Sequence, residues 1–368
     1  MIDEKILKNE ERAMLSLRSL YKQYGYLPFK MSKFEEYDLY VRNKEFLVSD
    51  SVITFNDTDG RLLALKPDVT LSIIKNGTDV PGSKQKVYYN ENVYRVSGNT
   101  HLFKEILQSG IECIGDIDVF DLYEAVYLAA KSLSIISERF VLDVSHMGII
   151  SAVLNAASDD DGFKRSALSY VADKNSHDTR KLCRKYGVAP AAEKLIIALI
   201  ESSGSPSEVL EDLRVLSEIP EAKDAYDELK TVCEMLSKTE FSSNVRIDFS
   251  VVNNMSYYNG IVFKGFLDGI CEGVLSGGEY DILMRRLGRN SKAIGFALYL
   301  DLLESFETGD SMNDVDVLLI YGSNNTAETV MLKKQEIIAG GKSVLCARTA
   351  PSKLRFGEIY DMTKEDAK

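Results

Sequence analysis

The sequence predicts an α+β protein, and three observations carry that reading. Helical and β-type hydrophobic periods fall in separate blocks instead of alternating strand by helix. The strand candidates come in pairs joined by short polar loops, as antiparallel neighbours do. Neither GxGxxG nor GxxxxGK[ST] occurs, so a dinucleotide fold or a P-loop has no support.

Taken in order, residues 3–24 predict a helix, with Ile6, Met14, Leu17, Tyr21 and Tyr24 at three- and four-residue steps and Gly25 as the stop. Val52–Phe55 and Leu62–Leu65 flank the polar loop Asn56–Gly60 and predict a hairpin. Val87–Arg95 and Lys104–Ile114 predict a second antiparallel pair, and residues 118–139 return to helical spacing. From about 147 to 240 the pattern is almost wholly helical, a helical insertion between two β-rich regions. Within it Ser205-Pro206-Ser207-Glu208 reads as a capping box with proline at the first helical position.

Strand character resumes over 245–252 and 257–267, with Asp268-Gly269 predicting a tight turn into Ile270–Ser276. Residues 279–306 read as helix. After the linker 308–313, a strand at 315–321, a helix at 326–339 and a strand at 342–346 predict a small C-terminal α/β appendage. The expected boundaries are a core over 1–307 and the appendage over 314–368.

Composition narrows the function. With 368 residues, 45% hydrophobic and 27% charged, the chain is an ordinary globular sequence long enough for a large core. A net charge of -12 and the lack of any Lys/Arg block argue against a general nucleic-acid binder. No apolar run reaches the roughly 20 residues of a membrane span, and the N-terminus is charged, so a cytoplasmic location is expected. The five scattered cysteines form no CxxC, and His101, His146 and His177 share no ligand spacing. Neither a metal nor a cofactor is expected.

Four stretches carry chemistry. In Leu65-Lys66-Pro67-Asp68-Val69-Thr70, spacing alone favours Asp and Thr as caps of the next helix. On the strand at 104–114, Lys104, Ile106, Gln108, Gly110 and Glu112 share one face. A glutamine and a glutamate on a strand flanked by Ile111, Cys113 and Ile114 either face solvent or line a polar pocket, because burying them unpartnered costs several kcal/mol. The remaining stretches are NNMSYYNGIVF at 253–263, and SGGEYD followed by AIGFALYLDLL within 276–303.

In this order and spacing the four resemble the histidyl-tRNA synthetase family over residues 1 to about 305. LKPDVT resembles its LRPE(x)T segment, Tyr94–Gly115 its motif 2 and histidine-contacting strand, NNMSYYNGIVF its RGLDYYxxTVFE signature, SGGEYD its GGRYD turn, and AIGFALYLDLL its motif 3. The resemblance implies a class II synthetase-like antiparallel sheet flanked by helices. It also implies a histidine-binding set of Asp68, Thr70, Arg95, Gln108, Glu112, Tyr257, Tyr258 and Tyr280. Within it Asp68, Thr70 and Gln108 would meet the α-amino end, and Glu112, Tyr258 and Tyr280 the imidazole. Such groups suit an ammonium and two ring nitrogens.

The departures are as informative. Asn253 stands where the family has its signature arginine, Leu302 at the motif 3 arginine and Tyr299 at a small glycine. Ser97 replaces a motif 2 acid and Ser32 the motif 1 proline, while Arg95 keeps the motif 2 arginine. Adenylate formation needs cations placed at developing phosphate charge, so synthetase activity is not expected. Residues 315–347 resemble the start of an anticodon-binding domain, but the chain is too short for a complete one, and no tRNA is expected as partner.

A synthetase-like core without ATP arginines resembles the ATP phosphoribosyltransferase regulatory subunits of histidine biosynthesis. That resemblance implies a non-catalytic chain that activates a short-form catalytic subunit and makes it histidine-sensitive. It also implies a homodimer, in contact through the N-terminal helix and residues 26–55, within a hetero-oligomer. The alternatives are a divergent histidyl-tRNA synthetase and a histidine-binding paralogue serving another partner.

Overall fold

The computed structural model describes residues 7–43, 52–77, 82–96, 101–252, 257–305 and 313–367. The chain divides into two units, Met1–Phe306 and Glu307–Lys368.

The first unit opens with α1 (Asn9–Gln23), β1 (Leu27–Pro28), β2 (Phe34–Glu36), α2 (Tyr37–Val41), β3 (Thr54–Asn56), β4 (Leu62–Leu65) and α3 (Thr70–Asn76). A long hairpin follows, β5 (Lys84–Val96) and β6 (Phe103–Gly115), and then α4 (Val119–Ile136) and β7 (Phe140–His146). The helical block is α5 (Met147–Ala157), α6 (Asp161–Ala172), α7 (Ser176–Tyr186), α8 (Pro190–Glu201), the short strand β8 (Ser203–Gly204), α9 (Pro206–Asp212) and α10 (Pro220–Leu236). β9 (Val245–Asp248), β10 (Ile261–Leu267), β11 (Leu275–Glu279), α11 (Asp281–Arg286) and β12 (Lys292–Tyr299) complete it.

One nine-stranded sheet organises this unit, in the order β1-β5-β6-β12-β11-β10-β7-β9-β8. The ladders from β5 to β7 are antiparallel. β6 and β12 lie at its centre, and their alternate residues feed two apolar clusters. Ile111, Cys113, Phe296 and Leu298 join α1, α4 and the helical block in one; Val87, Tyr89, Ile114 and Ala293 join Tyr257, Tyr280 and Met284 in the other.

Helix α4 shows how sequence sets this packing. Asp118 accepts the N–H groups of Phe120 and Asp121, and Asp121 returns a bond to the Asp118 N–H, satisfying the helix's first donors. Leu122, Ala125, Val126, Ala129 and Leu133 then form one buried stripe. A separate small sheet, β2-β4-β3, carries the predicted hairpin around Asn56–Gly60.

The second unit holds β13 (Val315–Ile320), α12 (Ala327–Ala339), β14 (Val344–Ala347) and β15 (Phe356–Asp361), with the strands parallel in the order β14-β13-β15. Among the described residues no helix is long and apolar enough to cross a membrane.

Four expectations need correction. Residues 279–306 are not a helix: they hold α11, the central strand β12 and a 3₁₀ turn over Leu300–Ser305. A strand buried on both faces loses its polar alternation and imitates a helix in sequence. The tight turn at Asp268-Gly269 forms, with the Ile270 N–H on the Leu267 carbonyl at 3.2 Å, but it closes no hairpin: β11 begins only at Leu275, β10 and β11 pair from Gly265↔Leu275 inward, and the last residues of β10 pair with β7 alone. Ser205 caps α9 without the reciprocal backbone bonds, and its hydroxyl bonds the Glu208 carboxylate at 2.8 Å. The appendage also has a third strand, β15, absent from the sequence reading. The predicted start of the first helix before Leu7 lies outside the described residues.

Candidate histidine-type pocket

Residues directly opposite each other on an antiparallel ladder project to the same face. The register therefore sets out the candidate site as three rows across β5, β6, β12 and β11. The inner row is Val87, Glu112, Gly295 and Gly278; the middle is Tyr89, Gly110, Ala297 and Ser276; the outer is Glu91, Gln108 and Tyr299. The middle of this surface is floored by small residues, with long polar side chains at both ends.

Glu112 anchors the inner end and is only 2% exposed. The Thr70 hydroxyl donates to its Oε1 at 2.8 Å and the Tyr280 hydroxyl to its Oε2 at 2.5 Å. Burial pushes its carboxyl up to about 8, against the pull of those two donors. Gly295 is required beneath it, since a Cβ there would lie 1.7 Å from Oε2. Tyr257 forms the wall, with its ring 4.4 Å from that of Tyr258 and 5.8 Å from that of Tyr280. The Tyr258 ring lies over Gly278, 2.8 Å from where a Cβ would stand.

The outer end carries the charges. Asp68 is half-buried, and loss of solvent holds its carboxyl above the usual range, while the Leu71 N–H and the Arg95 guanidinium pull the other way. Its Oδ1 accepts the Leu71 N–H at 2.9 Å, so it caps α3 as spacing alone suggested and faces the pocket as well. Arg95 donates from Nε to the Pro67 carbonyl at 3.1 Å, which fixes its guanidinium beside Asp68. Gln108 is buried at 3% exposure.

All eight predicted residues thus converge. The Thr70 hydroxyl links the two ends, donating to Glu112 from the segment that also carries Asp68. Of the departures, Leu302 packs against the apolar core, where a family arginine would reach phosphate. Tyr299 is the last residue of β12 and not part of a helix. The Ser32 hydroxyl accepts the Phe34 N–H at 3.1 Å. Asn253 and Ser97 lie outside the described residues.

Three residues escaped the sequence reading. Tyr89 lies over Gly110, its hydroxyl 2.5 Å from where a glycine Cβ would stand. Lys66 is fully buried and pairs with Glu91 at 2.5 Å, clamping the Lys66–Thr70 segment to β5. The parity of β5 would have revealed Tyr89 and Glu91 had its register against β6 been known.

Comparison with known proteins gives the same picture. An ATP phosphoribosyltransferase regulatory subunit from Oceanobacillus iheyensis is 26% identical over 342 residues, covering 91% of this chain and 84% of that one. A crystal structure described as an ATP phosphoribosyltransferase regulatory subunit/histidyl-tRNA synthetase, from Bacillus halodurans, superposes with TM-score 0.75 at 22% identity, covering 98% and 96% of the two chains. A chain of the ATP phosphoribosyl transferase complex from Thermotoga maritima gives 0.63 at 20% identity, with 81% and 97% covered. The class II fold is common to these structures, and the profile of the family described as Histidyl-tRNA synthetase matches residues 2–303. The chain belongs to that family.

Proposed function

We propose that this chain is the non-catalytic regulatory subunit of an ATP phosphoribosyltransferase, binding L-histidine in the pocket built on Glu112 and passing that signal to a short-form catalytic subunit. The observation that carries the reading is the contrast between an intact pocket anchor and an ATP-gripping position that has lost its charge. Glu112 is held by two hydroxyls among three tyrosines, a setting suited to an imidazole. The position that would grip ATP is a half-buried leucine packed against the apolar core. Relatives bearing the regulatory-subunit name, and the Thermotoga complex, support the choice of partner.

Regulation by histidine is a linkage: the ligand must bind one state of the assembly better than the other, and the coupling is reciprocal. The test mixes the chain with a short-form catalytic subunit and follows phosphoribosyl transfer with and without histidine. Activation by the chain and inhibition by histidine are expected, and Glu112→Ala should remove the inhibition. A catalytic subunit that ignores the chain sinks the proposal, and histidine-dependent ATP–pyrophosphate exchange would return the chain to the synthetases. Self-association through the β2-β4-β3 sheet is part of the same reading, supported by exposed Phe34, Phe55 and Leu62. Light scattering should give a dimer, and a monomer that persists at high concentration would remove that part.

A further inference from the structure

The outer row of the pocket ends in a side chain that does more than fill space. Tyr299 is in register with Gln108, so its phenol stands on the same face as Glu112 and at the far end from it. The Tyr299 N–H bonds the Val274 carbonyl at 2.8 Å, which fixes the backbone where β12 turns away. The Tyr299 hydroxyl is near one cation, Arg95, and two anions, Asp68 and Asp301. Arg95 acts on it by charge and hydrogen bonding, and Asp68 by charge. The Arg95 Nε is committed to Pro67, so the terminal nitrogens of the guanidinium are what reach the tyrosine.

We infer that Tyr299 and Arg95 form a carboxylate stop: the pocket takes an amino acid whose α-carboxylate is free and excludes one whose carboxyl is extended as an ester, amide or acyl-nucleotide. The inference rests on the histidine reading and adds the residue that sets its selectivity.

Length supports it. Gln108 and Glu112 are four residues apart on an extended strand, about 13 Å at the usual rise. A span of that length accommodates one amino acid of histidine's length and not two. Beyond the carboxylate position the next group met is the phenol ring. Chemistry supports it too, because a phenol O–H and a guanidinium together form charge-assisted bonds to a carboxylate. An amide or ester offers them a weaker acceptor and brings extra atoms against the ring. A small residue at 299 would leave the floor of Gly110 and Ala297 open outward.

The test is calorimetry on the full chain with L-histidine, L-histidinamide and L-histidine methyl ester. Wild type should bind histidine about 100-fold more tightly than either derivative. Tyr299→Phe should weaken histidine about tenfold and still reject the derivatives, because the ring remains. Tyr299→Ala should bring the three ligands within about threefold of one another. Tyr299→Leu serves as a second variant should the alanine chain fail to fold, and an intermediate ratio is expected. Equal wild-type affinity for histidine and histidinamide overturns the inference, as does a ratio unchanged in the small-residue variants. If wild type binds no histidine at all, the pocket assignment itself falls, and that outcome is told apart by the first titration.

Discussion

Glu112 on β6 and Glu279 on β11 make an instructive pair. Each is almost fully buried, and burial pushes each carboxyl up to about 8. Each also rests on a glycine: a Cβ on Gly295 would lie 1.7 Å from one Glu112 oxygen, and a Cβ on Gly260 1.8 Å from one Glu279 oxygen. They occupy opposite faces of the sheet, since Glu279 pairs with Ile294 and Glu112 with the next residue, Gly295. Their partners differ in kind. Glu112 receives two hydroxyl bonds, from Thr70 and Tyr280. Glu279 has the acids Asp281 and Glu228 beside it, which raise its carboxyl further, and Lys292, which lowers it. The two groups therefore reach a similar proton affinity by different routes, burial opposed by hydroxyl donors at Glu112 and reinforced by acids at Glu279, and the neighbours decide their use. Donors arranged around one carboxylate leave it an acceptor edge for a ligand, whereas acids around the other give it a proton to share.

The sharpest way to break this comparison is to fill the two glycines. Gly295→Ala should abolish histidine binding, and Gly260→Ala should leave the affinity within about threefold. Both should lose about 1–3 kcal/mol of stability through overpacking. Calorimetry and urea denaturation give the two readouts, and a Gly260 variant that loses histidine would merge the two sites. A smaller effect follows from changing charge without shape. Glu112→Gln should weaken histidine by about 30-fold or more, and Glu279→Gln should leave it unchanged.

The smallest effect lies in pH. Both carboxyls bind protons more tightly folded than unfolded, so the stability they permit is complete below their ordinary value of 4.5 and is lost as pH rises through about 8. The stability of Glu279→Gln relative to wild type should accordingly grow from pH 5 to pH 9. A difference that stays constant across that range would mean that Glu279 does not titrate there.

Parts of this arrangement were legible in the sequence and parts were not. The β5–β6 hairpin was, because two strand-type runs flank a short polar loop. Glu112 and Gln108 were conspicuous because two hydrogen-bonding side chains share a face on a strand otherwise rich in apolar residues. β12 was not, because Ala293 to Leu298 is apolar on both faces and carries no period of two. Tyr89 and Gly295 depend on register between strands, which local spacing does not encode. Lys66 had no role in the Leu65–Thr70 stretch as read from sequence, and only the fold shows it sealed against Glu91. The bond from Thr70 to Glu112 was not legible, since the direction of a hydroxyl is a property of the packed helix α3.

The nine-stranded sheet finishes at both margins in strands two residues long, Leu27–Pro28 and Ser203–Gly204. A long open margin is a template for other chains, with unpaired N–H and C=O groups in line. Here one margin carries a proline, which has no N–H to offer, and the other a glycine in a stretch too short to hold a partner strand. Growth of the sheet from molecule to molecule is thereby discouraged at its two ends. Any association would then fall to side-chain surfaces, where recognition depends on shape and charge and a misplaced neighbour is not rewarded by backbone pairing.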